Sequence, residues 1–421
     1  MTKANINTFR IDANYAAVQG SYCAGMCALN AFTAVYLLFK GFTNTQTGIT
    51  VSLISLSAIC VQLFVSNFAD SHPNMRLKKI VLVLYLITVA GCSTMWLLPL
   101  PVAFLIIAYC ITGASQRSIM GLLNAIMMQF TNLGLRVNYG WPRGVCSIVF
   151  ALSAFGLGIL IETYTPDIIM PISIGLVFIG IISIITMPSP DQISQQMLER
   201  STDQVKPENQ EDSADEESSE RRKSYLEMIR SNPTLMLFIG ASILLSLGQA
   251  TAMVFLIRIV EAVGGTAREL GTTIFIQAGI EFPMLFASAW VLKRFKISKI
   301  LVFSFFCYAV KQFGYFIAPS VGAIYGVATI SMFCMGIYAF ASVYFVNSIV
   351  RPSELVRAQT LVTLSQTTGQ IIGSLISGVL IDSFGLKTLI IIGVTILVTA
   401  SCLMIVCHRT HTKKLIQKNL T

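Results

Sequence analysis

Twelve long apolar stretches alternate with short polar segments along this chain, six on each side of one extended charged loop. They begin near Tyr15, Thr47, Lys78, Pro101, Trp141 and Ile168, then near Pro233, Gly271, Ile297, Val321, Leu355 and Leu386. Each runs about 20 residues or more, enough for a helix to cross a hydrocarbon core of roughly 30 Å. Inside such a core only helices and closed barrels satisfy every backbone N–H and C=O. Barrel strands are about half as long and alternate in polarity, so these runs exclude a barrel. The pattern predicts an all-α membrane protein with twelve transmembrane helices. Residues 1–187 are expected to form one six-helix bundle, 188–232 a cytoplasmic linker, and 233–421 a second six-helix bundle.

The halves echo each other. Phe32 to Gly48 and Phe255 to Gly271 both run from an aromatic through an apolar helix end to a Gly (Gly41, Gly264). A polar turn follows in each, then a Gly opening the next helix. Gly158-Ile-Leu-Ile-Glu162 is matched at nearly the same offset by Gly378-Val-Leu-Ile-Asp382. Parallel repeats joined by a linker predict two bundles related by an axis normal to the membrane, able to rock about a site between them.

Composition sharpens this picture. Only 12% of residues are charged, 54% are hydrophobic and the mean hydropathy is +0.72. A soluble chain carries about twice that charged fraction. The net charge of +9 would suit a nucleic-acid partner, but its distribution does not. Lys and Arg gather in the termini and in the loops on one side: Arg76, Lys78 and Lys79; Arg221, Arg222 and Lys223; Lys293, Arg294, Lys296 and Lys299; Arg409, Lys413 and Lys414. The opposite loops hold only Lys40, Arg268 and Lys387. The positive-inside rule then puts both termini and the central loop in the cytoplasm, for a chain resident in the cell inner (plasma) membrane. Residues 1–14 are polar and no small-residue cleavage site follows the first apolar stretch, so no cleaved signal is expected. The linker carries Glu208, Glu211, Asp212, Asp215, Glu216 and Glu217 and reads as a solvated tether. The ten Cys all fall within or at the ends of spans; Cys23 and Cys27 share a helix face but lack further metal ligands, and small apolar packing residues are expected.

Several segments carry a family resemblance. Tyr139-Gly140-x-x-Arg143-x-x-x-Ser147 opens the fifth helix, Glu281 precedes Pro283 in the eighth, and Lys311 lies in the ninth. Gly121-Leu-Leu-Asn124 in the fourth helix and Asn67-Phe-Ala-Asp70 after the second add to them, with Ser66 where a Gly usually leads. The chain resembles a major facilitator superfamily transporter, in the branch holding lactose permease, phenylpropionate permease and nucleoside–proton symporters. The resemblance implies the two-bundle fold, and a solute contact for Arg143. It also implies gating roles for Asp70 and Arg76 at the cytoplasmic loop. The carboxylate usual in helix 4 is replaced near Asn124, and the His of sugar permeases has no counterpart near Ser331. These departures argue against galactoside recognition.

An ionisable side chain within a bilayer is costly unless it faces a cavity or a partner, so each is a functional candidate. Glu281 stands mid-span and suits a carboxylate that takes up and releases a proton as its surroundings change; a fixed ion pair with Lys311 is the alternative. Arg117 and Arg143 can hold a carboxylate or paired hydroxyls bidentately. Phe150 shares the face of Arg143 and could stack on a ring. Asn124, seven residues beyond Arg117 on a polar stripe of helix 4, joins Lys311 as a candidate solute contact. Gln19 and Tyr22 in helix 1, Gln277 in helix 8 and Gln366 in helix 11 could add hydrogen bonds, or serve as interhelical contacts. Arg258, near the end of helix 7, is expected to reach for the interface. Three cations against one anion favour a solute with a carboxylate or phosphate.

No P-loop, no Gly-x-Ser-x-Gly and no Cys–His pairing occurs, and the three His (His72, His408, His411) lie outside the spans. Neither an enzyme nor a metal site is expected, and no cofactor beyond a proton gradient. The reading is a monomeric secondary transporter in membrane lipid, with proton-coupled symport of a small organic anion, nucleoside or saccharide. An exporter or anion exchanger of the same fold is the rival, and a non-transporting receptor the third reading.

Overall fold

A computed structural model describes residues 8–71, 76–133, 140–189, 232–351 and 354–420. The side chains of 8–10, 70, 131–132, 140–144, 289, 356 and 414–420 lie outside that description, as does nearly all of the expected linker.

Every regular element among the described residues is helical. Helix α1 (Thr8–Met26) continues through a π-helical turn, Cys27–Ala31, and after a break at Phe32 through Thr33–Phe39. Then come α2 (Asn44–Ser71), α3 (Leu77–Leu97), α4 (Val102–Asn132), α5 (Gly140–Thr163) and α6 (Ile169–Thr186). The second group opens with α7 (Pro233–Met253, resuming as Leu256–Glu261), α8 (Ala267–Arg294) and α9 (Ile297–Ile317). Helix α10 runs Val321–Ala328, passes a π turn at Met332–Gly336, and ends as Ile337–Ile349. The last run, Leu355–Leu420, breaks at Gly385 (φ 81°, ψ 168°) into α11 (355–384) and α12 (386–420).

Ten of these runs are long and apolar enough to cross a membrane, or eleven once the two pieces of α1, bent by 45°, are joined. The last of them holds 57 residues. At about 1.5 Å per residue it is far longer than one crossing of roughly 30 Å, and the break at Gly385 makes it two. The expected twelve crossings result.

The helices are apolar on both faces, because lipid replaces water outside. In α3, for example, Ile80, Val81, Leu84, Tyr85, Thr88, Cys92 and Met95 recur at helical spacing and are buried, whereas Val83, Leu86 and Leu97 are exposed. One core lies inside α1–α6 (Tyr15, Tyr85, Phe130) and another inside α7–α12 (Phe238, Phe305, Phe345). A third, with Tyr36, Leu157, Leu270 and Ile390, spans both groups at the end holding the α1–α2 and α7–α8 turns. That end is called the turn end below.

The repeat read in the sequence is present in the backbone. Phe32 (φ −103°, ψ 11°) and Phe255 (φ −110°, ψ 28°) interrupt α1 and α7 with nearly the same dihedrals. Gly41 (φ 85°) and Gly264 (φ 82°) both take the left-handed conformation that the following turn requires and that other residues rarely adopt. Gly48 and Gly271 then press on the opposite group: a Cβ on Gly48 would lie 2.5 Å from Ser374 O, and one on Gly271 would lie 2.9 Å from Gly158 Cα.

Carboxylates close the same junctions. Asp382, at the end of α11, accepts from Asn44 Nδ2 (2.7 Å), Thr45 N (2.7 Å) and Thr45 Oγ1 (2.6 Å) at the start of α2. Glu162, at the end of α5, accepts from Thr266 Oγ1 (3.2 Å), the N-cap of α8. Thr266 also forms a capping box with Glu269, satisfying donors that a helix start leaves open. Arg258 bridges too, donating to Asn44 Oδ1 (3.1 Å) and pairing with Glu261 (2.9 Å), instead of reaching toward lipid headgroups. These bonds, with Ser52 Oγ donating to Ile371 O (2.9 Å), join the two groups at or within about two turns of this end.

Candidate functional site

Below the turn end the two groups part around a cavity of about 600 Å³, walled by α1, α2, α4 and α5 on one side and α7, α8, α9, α10 and α11 on the other. A second compartment of about 310 Å³ adjoins it toward the termini. Phe150, Gln249, Met253, Ile274, Tyr308 and Met335 line both and stand between them.

Arg117 projects from the middle of α4 into the larger compartment. Its Nε donates to Asn30 Oδ1 (2.8 Å) and its Nη1 to Ser55 Oγ (3.0 Å). Asn30 reaches it because the backbone of α1 widens into the π turn Cys27–Ala31, a local distortion that often accompanies functional sites. The ion pairs among the described residues, Lys40–Asp167 and Arg258–Glu261, do not include Arg117. Two neutral acceptors fix the guanidinium while its charge stays uncompensated and part of its five-donor fork faces the cavity.

Opposite, Glu281 of α8 and Lys311 of α9 line the smaller compartment with Gln277. The Glu281 carboxylate takes part in no hydrogen bond or ion pair among the described residues. Lys311 Nζ donates to Ser331 Oγ (2.7 Å) and sits 5.8 Å from the Tyr315 ring centroid. The expected direct Glu281–Lys311 pair is therefore absent from this structure: Ser331, on the neighbouring α10, takes the ammonium. Pro283, two residues on, lacks the N–H that would bond Gly279, so α8 is loosened where Glu281 stands.

Other candidates divide. Phe150 and Gln366 line the larger compartment; Gln366 Nε2 donates to Tyr338 OH (2.8 Å), which also lines it. Gln277 donates to Tyr315 OH (2.8 Å). Gln19, Tyr22 and Asn124 line neither compartment. Gln19 Nε2 donates to Tyr15 OH (2.8 Å), and Tyr15 OH donates to Asn124 Oδ1 (3.4 Å), a polar tie between α1 and α4. Tyr22 is buried in the core of the first group. The side chains of Arg143 and Asp70 lie outside the described residues, although their backbones are helical. Arg76 is an exposed N-cap of α3, away from both compartments.

Sequence reasoning missed Asn30, Ser55, Gln249, Tyr308 and Tyr338 as cavity walls. It also read the cysteines as packing groups, whereas Cys23 and Cys146 are joined in a disulfide between α1 and α5 that borders the smaller compartment. Cys27, the residue sharing the face of Cys23, is free and buried. No group of three or more metal-ligating side chains forms among the described residues.

Known proteins of this shape are numerous. The nucleoside transporter NupG superposes with a TM-score of 0.75 at 13% identity, over 96% of this chain and 99% of its own. A bacterial homolog of the human lysosomal transporter Spinster, inward-facing and unoccupied, gives 0.69 at 12%, over 97% and 98%. The peptide transporter POT in complex with alafosfalin gives 0.69 at 11%, over 96% and 94%. At such identities the likeness shows the fold alone. No curated protein matches the sequence. A family model, described as the MFS_1 like family, matches residues 18–392. The chain belongs to that family, and its fold is the all-α, multi-pass membrane fold of major facilitator superfamily transporters.

Proposed function

We propose that this protein is a secondary active transporter carrying a small polar solute by proton-coupled symport and alternating access. It works as a monomer in the cell inner membrane, with both termini in the cytoplasm. The observation that carries the reading is Arg117, a cation without a carboxylate partner among the described residues, in a compartment adjoining the one lined by the unpartnered carboxylate of Glu281. An uncompensated charge is expensive inside a bilayer unless a ligand completes it.

In the cycle, Glu281 takes a proton while the cavity faces outward. The anionic or polar group of the solute meets the free donors of Arg117, and the rings of Phe150, Tyr308 and Tyr338 flank its body. The bundles then close at the turn end through the Gly48–Gly378 and Gly158–Gly271 contacts. The solute leaves at the opposite end and Glu281 loses its proton, with Lys311, held on Ser331, supplying a nearby positive charge. Direction comes from the gradient, since binding moves the equilibrium only by its differential affinity for the two states. Organic anions fit the net charge of the cavity. Nucleosides or saccharides fit its amides and rings, and a nucleoside transporter stands among the proteins of similar fold.

Uptake into proteoliposomes tests this, using pooled organic acids, nucleosides and sugars with and without an inward proton gradient. Glu281→Gln is expected to abolish gradient-driven accumulation while substrate exchange persists. Exchange that needs no gradient and is indifferent to the substitution would instead identify an anion exchanger.

A further inference from the structure

Away from the transport cavity, on the lipid-facing side of the second bundle, α8, α9 and α10 enclose a slot of about 450 Å³. Its walls are Trp290 from α8, Phe303 from α9 and Phe333 and Ile337 from α10, with Met284 at its back. Phe303 and Phe333 meet edge to face at 5.8 Å, as do Trp290 and Phe295 at 6.4 Å. Trp290 is 64% exposed and Phe295 54%. An ordinary lipid-facing surface needs only to be apolar; this one is concave and aromatic.

One end of the slot is basic. Lys299 is the single charged residue lining it, and Lys293, Arg294 and Lys296 stand exposed within the preceding turn. His408 Nδ1 lies 2.8 Å from Ser298 Oγ, which brings the basic end of α12, with Arg409, beside the first turn of α9. None of these cations belongs to an ion pair among the described residues. An apolar slot capped by uncompensated cations matches a molecule with an acyl chain and an anionic head, and basic pockets between membrane helices bind such head groups.

We propose that the α8–α10 slot binds one anionic phospholipid, its acyl chain lying against Trp290, Phe303 and Phe333 and its phosphate on Lys296 and Lys299. Two rival occupants fit poorly. The acidic part of the chain, Glu208 to Glu220, has no apolar side chain beyond a single Ala to fill an aromatic slot. A second copy would bring its own basic segments, such as Arg76, Lys78 and Lys79, against these four cations. The slot also backs onto the stretch of α8 that carries Glu281. Met284 at its back is one turn from Glu281 and packs on Gly336 of the α10 π turn, where an added Cβ would lie 3.2 Å from Met284 Cβ. A bound chain therefore braces α8 against α10 at the level where Glu281 works.

The test uses the full chain with Trp96→Phe and Trp141→Phe, which leaves Trp290 as the sole tryptophan. It is reconstituted in phosphatidylcholine vesicles doped with either brominated phosphatidylglycerol or brominated phosphatidylcholine. Trp290 fluorescence should be quenched at a severalfold lower mole fraction of the anionic lipid. Lys296→Gln with Lys299→Gln should erase that preference, each cation accounting for up to about fivefold. Lys296→Arg with Lys299→Arg should retain it, which separates loss of charge from loss of folding. Identical quenching by both lipids, or a preference unchanged in the glutamine variant, would overturn the proposal. So would an absence of quenching by either, since another chain would then cover the slot.

Discussion

Arg117 uses two donors on Asn30 and Ser55 and keeps the rest for the cavity, a division that depends on the planar fork of guanidinium. A lysine keeps the charge but cannot span both acceptors and a solute at once. Arg117→Lys is therefore expected to raise the KM for an anionic solute by roughly tenfold or more, since a hydrogen bond to a charged group contributes about 1.5–3 kcal/mol. The concentration dependence of uptake reads this directly, and an unchanged KM would remove Arg117 from the binding site. Arg117, Glu281 and Lys311 could be found in the sequence because a charge in an apolar run has few other reasons to exist. Asn30 could not, because it reaches the cavity only through a π turn that no residue type announces. The place of Gln19 and Asn124 outside both compartments was illegible for a related reason: an amide bonded to Tyr15 and one offered to a solute look alike in sequence. The Cys23–Cys146 bridge was hidden by its separation of 123 residues and by the nearer Cys27.

At the scale of helices, α2 against α11 and α5 against α8 approach closely only because glycine faces glycine, a small-residue contact common between membrane helices. Gly48→Leu and Gly271→Leu insert side chains where no room exists; overpacking costs about 1–3 kcal/mol, or about 5- to 150-fold in an equilibrium. Both are expected to shift the protein toward a form open at the turn end. Spin labels on Lys40→Cys and Lys387→Cys, with the exposed Cys60 and Cys402 replaced by Ser, should show a longer separation than in the parent. Unaltered distances would mean that the junction is not a gate. These contacts were foreshadowed by the repeated Gly and acid positions, Gly158 with Glu162 and Gly378 with Asp382. The sequence marked the positions, but it did not say that each carboxylate would seat on a helix start in the opposite half.

For the whole molecule, hydropathy sets the number of crossings, because apolar runs of this length can satisfy their backbone in hydrocarbon only as helices. Only the turn at Gly385 is so tight that α11 and α12 run together as one helical stretch. Orientation rests on where the cations sit. A phosphatase reporter active only after export is expected to be silent when fused after Thr421 and active when fused after Lys387; the reverse pattern would invert the proposed direction of transport.

Each half carries the same two fittings: an acid at the end of its fifth helix and a helix start at its second to receive the acid of the other half. The junctions are therefore reciprocal, with Asp382 serving the first half as Glu162 serves the second. Neither half is the frame and neither the lid. A gene spelling the second bundle before the first, joined by a tether of similar length, would bring the same pairs of surfaces together. The order of the halves in the chain is a record of how the gene grew, not a requirement of how the protein closes.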